Sequence, residues 1–315
     1  MQARKFAVLF LFVLILISPT IIMASQADVN IEQTLSLIDK QASQGALTSE
    51  QALLYSFYAA FDTAKLPAEL VVPGPESRPF CATSLILRAM TQWDALSPET
   101  REIISSYVTI PNKPGEPIAP APEVAGRTIR PGGYGANVHT YQTEHFNIIW
   151  GDTNVPDSGD VARMGQDLEF AYSTEVGQEG YNAPYDIDSY YVDFYIGNTG
   201  NEVPTIDFEG AYTTVYQDAG PPMGYIVSHQ DILKYASASE EISSHEFFHV
   251  LQFALIMNHG WNCYLTQEDQ WWWEATATWM EDVVYPDENS YVQFLNVYCA
   301  NPQESLNSLQ DQYYP

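Results

Sequence analysis

His245-Glu246-Phe247-Phe248-His249 sits inside SSHEFFHVLQFALIM, residues 243–257, and its reading decides the chain. Val250, Leu251, Phe253, Ala254, Leu255 and Ile256 follow it, so a buried helix over about 239–257 is expected, with Asn258-His259-Gly260 as its stop signal. Residues four apart share a helix face, which aims both imidazoles at one place. In apolar surroundings two unpaired imidazoles and a carboxylate would be costly. A second apolar, helix-compatible segment, Trp271-Trp272-Trp273-Glu274-Ala275-Thr276-Ala277-Thr278-Trp279, carries Glu274. His245, His249 and Glu274 make a three-ligand zinc set with a fourth position for water. Glu246 is placed to take a proton from that water. Metal, nucleophile and base together point to a hydrolytic enzyme.

Upstream, Gly210–Tyr216 and Gly224–His229 read as short strands, as do Tyr190–Ile196 and His145–Trp150. Residues 158–176 read as an amphipathic helix through Val161, Met164, Leu168, Ala171 and Tyr172. The prediction is an α+β fold, with a small twisted sheet, the HExxH helix and a following Glu-bearing helix. An extended peptide can add as a strand beside a cleft, and 210–216 and 224–227 are the two candidate strands. Oxyanion-donor candidates are Tyr225, His229 and Tyr264, chosen because they flank the motif helix, although each also suits a structural role. Asp152, Asn154, Asp157 and Asp160 could hold calcium through hard oxygens. The EF-hand spacing is missing, and Asp160 or Ser158 more simply caps the next helix. His139, His145 and His259 have no partner spacing and read as structural. Core filling is the expected role of Trp271–Trp273, ahead of pocket lining.

Before these elements, 111–134 form a Pro/Gly-rich linker, with six prolines from Pro111 to Pro131. The region 28–110 reads as all-helical, either a permanent domain or a prosegment shielding the cleft. Helices are expected at 30–46, 48–64, 83–95 and 98–107, helped by a capping box at Thr48-x-x-Gln51 and by Ser97-Pro98. The domain 135–315 follows the linker. It closes on Asp311-Gln312-Tyr313-Tyr314-Pro315 without a helix stop, so an incomplete lower subdomain is expected.

Residues 1–27 have the parts of a secretory signal: Arg4 and Lys5, an apolar run from Phe6 to Met23, and Ser25-Gln26-Ala27. The competing reading is an uncleaved anchor, against which Pro19-Thr20 interrupts the run. Cleavage removes two of the 12 basic residues and none of the 40 acidic ones, taking the formal charge from −28 to −30. Such a field disfavours nucleic acid and anionic membranes as partners. Three cysteines are present. Export makes a Cys263–Cys299 disulfide the candidate pair, leaving Cys81 over. No CxxC spacing occurs, so cysteine ligation of zinc is not expected.

His245–His249 with a downstream helical Glu274 is similar to the gluzincin metallopeptidases, over residues 240–282 only. HEFFHxxQ followed by WWWEATATWMED resembles more closely a set of poorly characterised secreted metallopeptidases of bacteria and archaea, over most of the mature chain. The resemblance implies a zincin-like domain, zinc on His245, His249 and Glu274, and Glu246 as base, acting on a peptide or protein. Many gluzincins carry an acidic residue four after the third ligand to orient a zinc-bound histidine. Here that position is Thr278, a weaker acceptor, with Glu281 or Asp282 as substitutes. Two other classes stay open: a catalytically silent zincin-like surface module with structural metal, and a zinc hydrolase of a non-peptide amide or ester.

Overall fold

The computed structural model describes residues 29–74, 79–108, 127, 137–216, 223–259, 270–289, 291–292, 295, 299 and 302–303. The leader, nearly all of the linker, Cys263, Tyr264 and the chain's last residues lie outside that set. The fold is α+β. Several of its helices begin where short polar side chains accept the first free amides. Asn30 accepts the Gln33 amide before α1 (Ile31–Ser43), and Thr48 and Gln51 cap reciprocally before α2 (Ser49–Phe61). Strand β1 (Phe80–Cys81) runs directly into α3 (Thr83–Gln92), and Ser97-Pro98 opens α4 (Pro98–Tyr107).

Beyond the linker come β2 (Val138–Gln142), β3 (Phe146–Gly151), α5 (Ser158–Tyr172), β4 (Val192–Ile196), β5 (Gly210–Val215) and β6 (Gly224–Ser228). The two long helices close the order, α6 (Ala236–His259) and α7 (Gln270–Val284). The helix expected to reach residue 176 ends at Tyr172 and continues as a π-helical turn, Ser173–Gln178. Its cap is Asp157, whose side chain accepts the Gly159 amide, rather than Asp160 or Ser158. The other acidic groups of that loop are committed elsewhere: Asp152 to His139 and Asp160 to Arg163. Among the described residues no helix is long and apolar enough to cross a membrane.

One six-stranded mixed sheet has the order β1-β5-β6-β4-β3-β2. β6, β4 and β3 are mutually parallel, and β5 runs antiparallel to β6. The N-terminal region is therefore not all-helical: it supplies β1, laid parallel along the outer edge of β5. Of the two strands considered for a peptide-binding edge, β6 is interior, and only β5 has its outer side turned toward another segment.

Two apolar clusters flank this sheet. One packs β3, β4 and part of β6 against α5, α6 and α7, through Phe146, Phe194, Ile226, Phe247 and Met280. The other packs α1–α4 against Tyr212, Val227, Phe253 and Trp273. Phe61 sits edge-on to both Phe208 and Tyr212. A buried ion pair, Arg88–Asp39 at 2.8 Å, ties α3 back to α1. Helix α6 contributes Phe247, Val250 and Leu251 to the first cluster and Phe253 and Ile256 to the second. It is apolar on almost every side because it has neighbours on almost every side. The HExxH segment lies at the seam between the clusters.

Candidate metal centre

Helix periodicity puts His245 and His249 on one face of α6, and their rings are 4.8 Å apart, edge to face. The Nε2 atoms converge to 3.1 Å. Glu274, from α7, brings Oε2 to 3.2 Å from His245 Nε2 and 3.7 Å from His249 Nε2. All three side chains are buried. The sequence-derived ligand set thus assembles, from two helices that pack along each other.

A fourth donor joins them. Cys81 Sγ, carried on β1, lies 3.5 Å from His249 Nε2 and 3.9 Å from Glu274 Oε1. Cys81, His245, His249 and Glu274 each offer a ligand atom within 4.8 Å of the others, and the group could hold a metal ion. Ligand bonds of 2.0–2.3 Å in a tetrahedron would separate nitrogens by about 3.3 Å, and sulfur from nitrogen by about 3.6 Å. The observed 3.1 and 3.5 Å match that spacing. One expectation is corrected here. A cysteine does belong to the donor group. Cysteine spacing along the chain could not reveal it, because Cys81 and His249 are 168 residues apart.

The outward nitrogens define the tautomers. His245 Nδ1 donates to Glu281 Oε1 at 2.6 Å, and His249 Nδ1 donates to Gln252 Oε1 at 2.6 Å. With protons held there, both Nε2 lone pairs face the common centre. Gln252 is itself oriented, its amide donating to Trp273 O and Thr276 Oγ1. Of the candidates for this supporting role, Glu281 fills it. Thr278 Oγ1 is buried with no hydrogen-bond partner among the described residues, and half-buried Asp282 is outside the donor group. The role of Gln252 was missed, although it stands in the quoted HEFFHxxQ.

Glu246 is fully buried, and its two oxygens differ. Oε2 accepts from Thr213 Oγ1 at 2.7 Å and from Thr83 Oγ1 at 3.3 Å. Oε1 has no hydrogen-bond partner among the described residues. Such an arrangement fixes the carboxylate and leaves one oxygen able to accept a proton.

Electrostatics follow from crowding donors in a dry seam. Burial disfavours charge on His245, but the Cys81 sulfur and the carboxylates of Glu274 and Glu281 outweigh it and hold its pKa well above the imidazole range. Burial opposes charge on His249 as well, yet Cys81 and Glu274 raise it to about 10. Glu274 is pushed upward by burial and more strongly downward by both imidazoles, ending well below the carboxylate range. The donors therefore favour positive charge at their centre, which protons or a cation can supply. Glu175, inside the π-helical turn, is a different case. It is fully buried, and neither carboxyl oxygen has a hydrogen-bond partner among the described residues. Burial drives its pKa well up against the pull of His245 and His249.

The described remaining candidates are outside the donor group. Tyr225 stacks on Tyr216 at 4.4 Å within the second apolar cluster. His229 caps a 3-10 turn by accepting the Asp231 amide. Tyr264 is outside the described residues, as is Cys263, so the candidate Cys263–Cys299 pair lies outside them too; Cys299 is exposed. The tryptophan run divides instead of filling one core: Trp273 is buried beside His249 and Phe253, whereas Trp272 is 58% exposed. His139 pairs with Asp152, and His145 pairs with Glu169.

No family model, curated protein or solved structure matches the chain.

Proposed function

We propose that the chain is an exported zinc-dependent peptidase with a zincin-like catalytic region, zinc resting on His245, His249 and Glu274, and Glu246 as general base. The observation that carries this reading is the split environment of Glu246, the residue next to His245 on α6: Oε2 is tied to Thr213, and Oε1 has no hydrogen-bond partner among the described residues. A site that only stores metal has no use for such a base. The basic and apolar make-up of residues 1–27 supports export. The approach of β5 to the motif helix, with Glu274 on the next helix, supports the gluzincin-like reading.

Bound zinc would supply Lewis acidity toward a carbonyl oxygen and acidify a nearby water. Glu246 Oε1 takes one proton from the water, and the water oxygen bonds to the scissile carbonyl carbon. As the carbon–nitrogen bond breaks, the same oxygen returns its proton to the leaving amine. Thr213 keeps the carboxylate in register through both transfers. Glu281 and Gln252 keep the two imidazoles turned inward.

Cys81 favours a second reading. Cysteine, two histidines and a glutamate make four protein ligands, the count of a closed structural site in a catalytically silent module. Metal analysis and hydrolysis of a broad peptide library separate the two, with Glu246→Gln made in both the natural and the Cys81→Ala background. The peptidase reading expects unchanged zinc content and turnover reduced about 10²–10⁴-fold by the glutamine. Equal turnover with and without Glu246 rejects it. Zinc retained with no turnover in either cysteine background leaves the closed structural site.

A further inference from the structure

Cys81 reaches the donors as part of a strand fitted to an edge. Phe80 stands opposite Gly210 and Cys81 opposite Ala211, in parallel register. The Phe80 amide donates to Glu209 O and the Ala82 amide to Ala211 O, each at 3.0 Å. One residue on, Thr83 Oγ1 accepts the Thr213 amide at 2.8 Å. These are the β5 backbone groups that an extended peptide would use if it were added as a strand. The fit is close: a Cβ at Gly210 would stand 1.9 Å from Phe80 O, so β5 carries glycine where β1 crosses it. Two side chains of this short segment reach the chemistry. Cys81 Sγ meets the metal donors, and Thr83 Oγ1 lies 3.3 Å from the Glu246 carboxylate.

We propose that residues 80–83 are a built-in occupant of the catalytic cleft, with the Cys81 thiolate as fourth metal ligand and β1 in the seat of a substrate strand, so that hydrolysis requires its displacement. This rests on the peptidase reading above. A thiolate in the fourth position completes an all-protein set of the kind that holds zinc without chemistry. β1 also denies β5 to any other peptide. The segment is fastened at both ends of its short run. Phe80 packs edge-on to Phe208 at 5.2 Å, and Arg88 of the next helix is tied to Asp39. Displacement is therefore the movement of a packed element, which makes the occupied form the resting one.

Full-length protein loaded with cobalt tests the ligand claim without reference to turnover. The wild type is expected to show a near-ultraviolet thiolate-to-cobalt band. Cys81→Ser should lose that band while keeping the visible bands of bound cobalt. In the zinc form, Cys81→Ala and Gly210→Ala are expected to hydrolyse a peptide library about tenfold faster or more, as for a site occupied at least nine-tenths of the time. Gly210→Ala leaves His245, His249 and Glu274 unaltered and evicts β1 together with Cys81, so it serves if the cysteine variant does not fold. No thiolate band in the wild type overturns the proposal and leaves the peptidase reading untouched. A band with equal hydrolysis by wild type and both variants also overturns it, again sparing that reading. A band with zinc retained and no hydrolysis in any form overturns both together.

Discussion

Two side chains that never touch the metal seat decide which nitrogen each imidazole turns toward it. Glu281 and Gln252 take the Nδ1 protons, and that choice is worth testing directly. Glu281→Gln and Gln252→Ala are each expected to weaken zinc binding about 10–100-fold in chelator competition. The Glu281 variant should lie at the lower end, because its amide oxygen can still accept from His245. Affinities equal to wild type would show both contacts to be incidental. At this scale the sequence was legible where a side chain's place follows from its spacing on one helix, as for His245 and His249, which meet in the donor group. Glu281 was harder to place than its neighbours. His245 lies one turn before His249, so across the α6–α7 packing it meets the residue two turns beyond Glu274, past Thr278. Cys81 was not legible at all. Nothing local distinguishes a cysteine that will meet its partners only after the sheet has formed.

Among the elements, α6 carries the greatest demand, since it holds two donors and the buried Glu246 while packing against both apolar clusters. Phe247 points away from the donors into the sheet-side cluster, with Phe146 at 5.2 Å and Tyr172 at 5.7 Å. Phe247→Ala should destabilise the protein by about 3–5 kcal/mol in denaturant unfolding, with the metal donors unaltered. A loss under 1 kcal/mol would mean that α6 is held by something other than this packing. The helices were readable from their caps, since Thr48, Gln51 and Ser97 satisfy amides only if a helix starts there. β3 to β6 were readable because burial imposes apolar runs. β2 was not, because Val138–Gln142 pairs at the sheet's far edge with its side chains largely exposed, so no apolar pattern is required of it. β1 has two residues and is a strand only by virtue of what it pairs with. The π-helical turn was hidden because its residues continue a helical pattern, and only the backbone bonding changes.

For the molecule as a whole, the donor group couples metal, protons and stability. In metal-free protein, His249 has its pKa raised from 6.5 to about 10, and His245 is raised as well. The folded chain then binds more protons than the unfolded one between those values. The stability these residues contribute is full below pH 6.5 and is lost as pH rises through about 10. Glu274, lowered by the same imidazoles, gives its contribution above the usual carboxylate range and is constant across this window. Zinc replaces the bound protons, so zinc-loaded protein should lack the slope. Unfolding midpoints of chelated and loaded protein across that interval check this, and parallel curves would refute it. A last consequence comes from where the donors sit along the chain. Cys81 precedes Glu274 by 193 residues, and β1 precedes every strand of the sheet. On the proposal that β1 covers the centre, the covering segment leaves the ribosome before the last donor does. The donor group is then never complete while its cover is still to come.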